Sequence, residues 1–174
     1  MTELNHDVLV DVETTAGTFT LALDSQNAPK STANFLQYVE DDFYEDTIFH
    51  RVLSGQMGII QGGGMTEKME PKSGSRAPIE NEADNGLSNK RGTISMARTS
   101  DPHSATSQFF ISTSDNPFLD HTGKNPQGWG YAVFGEVVDG MDVVEKINQA
   151  ETTSVGPYQD VPVDPVKIVK TSQR

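Results

Sequence analysis

The sequence predicts a mainly-β fold, an antiparallel sheet or barrel with helices packed at its ends. Short apolar runs alternate with polar residues at a period of two. The 15 glycines and 9 prolines are scattered between those runs, which favours many turns over long helices. Only two stretches place apolar residues at helical spacing.

Val8, Val10 and Val12 alternate with Leu9, Asp11 and Glu13, the pattern of a strand with one buried face. Phe19, Leu21 and Leu23 repeat it after Thr15-Ala16-Gly17, so the two runs are expected to form a hairpin with these apolar residues in the core. Pro29 stands where a helix starts, and Thr32, Phe35, Leu36 and Val39 follow at helical spacing, predicting a helix over 29–40. Further strands are expected at 48–53, 59–61, 93–97, 108–111, 132–136 and 166–170. Met141, Val144 and Ile147 predict a second helix over 141–149. Residues 62–90 are polar and glycine-rich and read as long surface loops, and Met1–His6 as a disordered tail.

A chain of 174 residues without internal repeat or linker is expected to form one domain with its own core. The formal net charge of -12 would repel phosphate backbones and anionic membranes, which argues against nucleic-acid and membrane partners. With no cysteine there is no disulfide, thiol nucleophile or thiolate metal site. The first residues carry neither a basic segment nor an apolar stretch of leader type, and no apolar run is long enough to span a bilayer. The expectation is a cytoplasmic protein, and a monomer, since no exposed heptad or apolar helix stands out.

Several motifs point away from common chemistries. Gly62-Gly63-Gly64 lacks the Gly-Lys-Ser/Thr continuation of a phosphate cradle, so a tight turn with close backbone approach is expected. The four histidines, His6, His50, His103 and His121, lack a second ligand at metal-binding helical spacing, so no metal is expected. No Gly-x-Ser-x-Gly elbow occurs. The acidic runs 40–42 and 80–84 read as solvated loops, not as acid/base pairs.

Two stretches are more specific. Ile94–Ile111 carries two apolar strand-like runs around a polar loop, and sets Gln108 beside Phe109 and Phe110. Arg51 lies in the apolar run Ile48-Phe49-His50-Arg51-Val52-Leu53, where a guanidinium is unexpected. Alternation puts Arg51 on the face of Phe49 and Leu53. Taken alone, it reads as a surface arginine covering its neighbours or as half of a structural ion pair.

Together these segments resemble the cyclophilins, a family of peptidyl-prolyl cis-trans isomerases, and most closely the compact bacterial cytoplasmic type. Phe49-His50-Arg51-Val52 resembles the family's arginine strand and Gln61-Gly62-Gly63-Gly64 its glutamine and glycine turn. Ser95-Met96-Ala97-Arg98 and Ser107-Gln108-Phe109-Phe110-Ile111 resemble the strands bordering its proline pocket. Phe118-Leu119-Asp120 and Tyr131-Ala132-Val133-Phe134-Gly135 resemble its closing segments. The resemblance implies an eight-stranded antiparallel β-barrel capped by two α-helices. It implies Arg51 as the catalytic arginine, and Gln61, Gln108 and the main chain near Ala97 and Arg98 as substrate-binding groups. Phe110 and Leu119, with a methionine or isoleucine from the 56–60 segment, would line the proline pocket. Phe118 stands where many eukaryotic members carry tryptophan, and Tyr131 where they carry histidine. The first change implies weak cyclosporin binding. Proline-containing peptides and unfolded proteins are the implied partners, and no cofactor is required.

One segment departs from the family. Gly55-Gln56-Met57-Gly58-Ile59-Ile60-Gln61 is two residues longer than the usual Gly-Phe-Met-x-Gln-Gly-Gly run. Alignment from the left makes Met57 the pocket methionine and puts Gln56 in place of the phenylalanine; alignment from the right gives Ile59 and Gly58. The left alignment keeps Gly55 and Met57 and is preferred, with the extra pair accommodated as a bulge. A shallower pocket follows, and with it a rival reading: a proline-peptide binding module without turnover.

The residue types suit rotation about an X-Pro bond. Arginine stays protonated and has rigid donor geometry. It can donate to the amide nitrogen only when that nitrogen becomes pyramidal in the twisted state.

Overall fold

The computed structural model describes residues 2–174. Strands β1 (Val8–Thr14) and β2 (Gly17–Leu23) form the expected hairpin. Thr14 Oγ1 donates to Gly17 O at 2.7 Å across the turn. Helix α1 (Pro29–Glu40) has the bounds that its periodicity predicts. Its N-cap position, Ala28, offers no side chain to the first free N–H groups. Glu82 takes that role from the distant 62–90 segment. Its carboxylate accepts from the backbone N–H of Lys30 (3.1 Å) and Ser31 (2.7 Å), a favourable place for a negative charge.

The run from Ile48 to Leu53 is not one strand. It divides into β3 (Thr47–Ile48) and β4 (Arg51–Leu53). Ile48 bridges Lys167, and Phe49 N–H donates to Val166 O at 3.1 Å, before the chain turns to pair elsewhere. Phe49 is fully buried in the main core while Arg51 is exposed, so the expectation that they share a face is corrected. Strands β5 (Ile59–Gly62) and β6 (Met65–Thr66) follow, then β7 (Thr93–Met96), β8 (Phe109–Ser112) and β9 (Val133–Asp139). Helix α2 (Met141–Asn148) precedes β10 (Thr152–Val155), β11 (Tyr158–Pro162) and β12 (Ile168–Gln173). The β10–β11 hairpin was not foreseen, because Thr152–Val155 is exposed throughout and has no apolar alternation. Within 62–90 the loops are interrupted by β6 and by a 3₁₀ turn over Ala83–Asn85. Met1, part of the expected disordered tail, lies outside the described residues. Residues 2–6 adopt no helix or strand, Asn5 N–H donates to Asp24 Oδ2 at 3.0 Å, and His6 meets Glu136 at 3.1 Å.

Eight strands form one antiparallel sheet in the order β12-β1-β2-β9-β7-β8-β5-β4. The sheet curls until its ends approach. Closure runs through the Ile48–Lys167 bridge and the Phe49–Val166 bond just outside the two edge strands, not through a full ladder. Cross-strand register then sorts the side chains. Val52, Ile60, Ile111 and Ile94 are successive partners across four strands, and all are buried in the main core. Phe35 of α1 lies at its centre, with ring centroids 5.1 Å from Tyr44 and 5.5 Å from both Phe109 and Phe134. Among the described residues no helix is long and apolar enough to cross a membrane.

Candidate active site

The neighbouring register row faces the other way. Arg51 pairs with Gln61, and Gln61 with Phe110. Because directly opposed residues point to one side of a sheet, these three share the outer face, with Leu53 and Ile59 one step along. Adjacent phenylalanines thereby separate. Phe109 enters the main core, while Phe110 joins Ile59 and Ala97 in a second small cluster with Leu53, Met57, Leu119 and Tyr131 packed against it. A hollow of about 80 Å³ opens over this cluster, lined by Arg51, Met57, Ile59, Gln61, Ala97, Arg98, Phe110, Leu119 and Tyr131. The floor is apolar, since Phe110 is 3% and Ile59 2% exposed. The rim carries the two guanidinium groups and an amide. A larger surface hollow, about 490 Å³, lies elsewhere, beneath Thr2–Leu4 and beside Lys90 and Arg91. It is open and lined largely by polar and charged side chains, with no comparable apolar floor.

The polar rim is linked. Arg51 Nη1 donates to Gln61 Oε1 at 3.4 Å, and Gln61 Nε2 donates to Gln108 Oε1 at 3.1 Å. Arg51 makes no ion pair with any described carboxylate. Ala97 N–H is engaged by Gln108 O at 3.0 Å, which leaves the Ala97 carbonyl as its main-chain group to meet a peptide. Tyr131 N–H donates to Leu119 O at 2.9 Å, so these two lining residues are fastened to each other. The Tyr131 ring meets Phe110 edge-on at 5.6 Å and lies under the Arg98 guanidinium at 4.5 Å. The glycine turn permits the tight assembly. A Cβ at Gly64 would lie 2.5 Å from Gln108 Cγ, and Gly63 adopts φ +89° against the Phe109 and Tyr44 rings.

The structure resolves the two alignments of the 55–61 segment. Leu53 pairs directly with Ile59, so the ladder has no bulge and the extra residues lie in the loop 54–58. Ile59 therefore takes the position two residues before Gln61, as the right-hand alignment has it. Met57 also reaches the hollow, from the loop. The place of the usual phenylalanine falls to Gly58. Its N–H donates to Ser114 Oγ at 2.8 Å, its carbonyl accepts from Thr113 N–H at 2.9 Å, and a Cβ there would run into Thr113 Oγ1. Asn148, at the end of α2, donates to the carbonyls of Leu53 (2.7 Å) and Ile59 (3.2 Å) and so holds both sides of this hairpin.

Of the residues named from the sequence, Arg51, Met57, Gln61, Ala97, Arg98, Phe110, Leu119 and Tyr131 come together at the hollow, and Gln108 adjoins it through Gln61. Phe118 does not. It sits on a 3₁₀ turn, is 61% exposed, and lines no part of the hollow. Ile59, the alternative to Met57 in the sequence, also lines the hollow, and its spacing from Gln61 is the signal for it. Asn148 carried no signal, because its role depends on a helix end meeting a hairpin distant in sequence. His50, next to Arg51, is buried, and its Nδ1 has no partner. Burial, reinforced by the Arg51 charge, holds its pKa down to about 4.

Residues 9–173 match the family model described as cyclophilin type peptidyl-prolyl cis-trans isomerase/CLD. The peptidyl-prolyl cis-trans isomerase cyp18 of Streptomyces antibioticus is 57% identical over 159 residues, covering 91% of this chain and 94% of that protein. Peptidyl-prolyl cis-trans isomerase B of Escherichia coli (strain K12) is 51% identical over 160 residues, covering 92% and 96%. A crystal structure of a Cryptosporidium parvum cyclophilin type isomerase superposes with a TM-score of 0.77 at 26% identity, covering 96% and 97% of the two chains. The same protein in the presence of the dipeptide Ala-Pro gives 0.76 at 26% identity, covering 95% and 98%.

Proposed function

The chain belongs to the cyclophilin family of peptidyl-prolyl cis-trans isomerases, and from that premise we propose that Arg51 accelerates X-Pro rotation while the hollow over Phe110 and Ile59 holds the proline ring. An amide resists rotation by roughly 18–20 kcal/mol because nitrogen shares its lone pair with the carbonyl. At the half-turn the lone pair localises on nitrogen, and a fixed guanidinium can then donate to it. That bond is absent in either planar ground state, so its stabilisation is differential, as catalysis requires.

Arg51 is not sufficient alone. Shortening isomerisation from about 100 s to about a millisecond requires roughly 7 kcal/mol, and one charge-assisted hydrogen bond supplies about 1.5–3 kcal/mol. The rest is assigned to the apolar floor gripping the ring, to Gln61 and Gln108 holding the peptide chain, and to exclusion of water from the amide. No proton moves and no covalent bond forms.

The observation that carries this reading is the pairing of an exposed guanidinium, without a carboxylate partner, with an adjoining apolar hollow of a few methylenes' volume. The substrate class is X-Pro peptides and unfolded chains. The remaining expectations belong here too: one domain, a monomer, a cytoplasmic location, and weak affinity for cyclosporin because Phe118 has no indole N–H to donate. A protease-coupled assay on an Ala-Pro peptide tests the function, and acceleration saturating with peptide is expected. Gly58 in the phenylalanine position favours one rival, a binding module, which predicts peptide binding without acceleration.

A further inference from the structure

The five arginines divide unevenly. Arg76 pairs with Asp41, Arg91 with Glu145, and Arg174 with Asp11. The other two, Arg51 and Arg98, make no ion pair among the described residues, and both line the same hollow. In a chain with 25 acidic against 13 basic side chains, leaving two guanidinium groups without carboxylates at one place needs an account.

Arg98 also borders a second depression, of about 130 Å³, that shares Ala97 with the first and continues over Thr99, Ser104, Thr106 and Gln108. Neither hollow is lined by an Asp or Glu. The nearest acid along the chain, Asp101, is turned to its own loop, where Oδ1 accepts His103 N–H at 2.9 Å. Arg98 is held by neutral groups alone. Its Nε donates to Gly130 O at 3.0 Å, its Nη1 donates to Thr99 O at 2.9 Å, and its plane covers Tyr131. These contacts fix the fork in place without neutralising it. The Ser104 hydroxyl, which accepts from Thr99 N–H and Thr99 Oγ1, adds a polar wall beside it.

We infer that Arg98 selects substrates with a carboxylate side chain, Asp or Glu, within about three residues of the proline. This rests on the assignment of the first hollow as the proline seat. An extended peptide advances about 3.3 Å per residue, so a chain with its ring in that seat brings a flanking side chain to the adjoining depression. The overall charge of -12 opposes an acidic peptide at a distance. At physiological salt that field is screened within about 8 Å, whereas the guanidinium acts at contact, where a two-pronged bond to carboxylate is available.

The test is kcat/KM on acetylated, amidated Ala-Pro peptides with Glu, Gln or Lys placed in turn at each position within three residues of proline. Blocked ends remove terminal carboxylates as a rival anion. For wild type, Glu peptides should exceed Gln peptides by about three- to tenfold at one or more positions, with Lys peptides below both. The ratio should fall toward one in 0.5 M NaCl and in Arg98→Met. A purely structural role for Arg98, holding Tyr131 and Gly130, would lower all peptides alike in that variant and leave the Glu/Gln ratio unchanged. Equal rates for Glu and Gln at every position in wild type would overturn the inference while leaving the proline seat intact. Absence of turnover across the whole panel would overturn both.

Discussion

Arg51 and His50 are neighbours with opposite fates. Arg51 was legible because a guanidinium interrupts an apolar run, and register with Gln61 explains its exposure. His50 gave no such sign, yet it is buried with a pKa near 4, against 6.5 for an ordinary imidazole, chiefly through burial and secondly through Arg51. The consequence is a pH dependence of stability with a definite sign. Below pH 6.5 the unfolded chain takes up a proton that the folded chain refuses. Stability therefore falls as pH drops from 6.5 to about 4, by about 3 kcal/mol in all, and His50 adds no further loss below that. Asp24 acts lower on the scale. Burial pushes its carboxyl up, but bonds from Asn27, Asn5 and Gln26 outweigh that and hold it below 3.8, so its contribution is lost only on further acidification. Urea titrations at intervals from pH 7 to 4.5 should show the decline in wild type and a much flatter profile in His50→Gln. Parallel profiles would remove His50 from the account.

At the scale of elements, long-range contacts fix what local pattern leaves open. Pro29 and the periodicity of Thr32, Phe35 and Val39 predict α1 to the residue, but not that Glu82 caps it from 51 and 52 positions away. Glu82→Gln should lower stability by about 1 kcal/mol, read as a drop in thermal midpoint with the X-Pro site unaltered. The β4–β5 hairpin shows the same division. A loop of unknown length allows either alignment, and the sequence reading prefers Met57 over Ile59 for the pocket. The Leu53–Ile59 pair settles the register and gives the strand position to Ile59. Ile59→Ala should accordingly reduce kcat/KM several-fold more than Met57→Ala, since a buried floor residue loses packing on all sides and a loop residue can re-pack. Equal losses would mean that the loop, not the strand, forms the floor. Phe118 stays outside the hollow for a related reason. Its chain position beside Leu119 is right, but the 3₁₀ turn points adjacent side chains apart, one to the hollow and one outward.

For the whole molecule, the β1–β2 hairpin and the two helices can be read from period-two and helical spacing, and the closure of the sheet cannot. It depends on Ile48 and Phe49 meeting Val166 and Lys167, pairs more than 110 residues apart with no local signature. The exposed β10–β11 hairpin was invisible because it buries little apolar surface. Charge acts at this scale too. With a net charge of -12, repulsion among surface carboxylates outweighs their few ion pairs, so the thermal midpoint should rise between 10 and 150 mM NaCl; a fall would assign the ion pairs the larger share. The curled sheet presents a guanidinium and an apolar floor on one outer face, and the central claim is that the two act separately, the floor binding and Arg51 turning over. NMR exchange on an Ala-Pro peptide, with affinity measured in parallel, compares wild type with Arg51→Ala. A loss of about 10- to 100-fold in the catalysed exchange rate is expected, with peptide affinity changed by less than about threefold. Exchange at the wild-type rate in that variant, or a loss matched wholly by weaker binding, would contradict it.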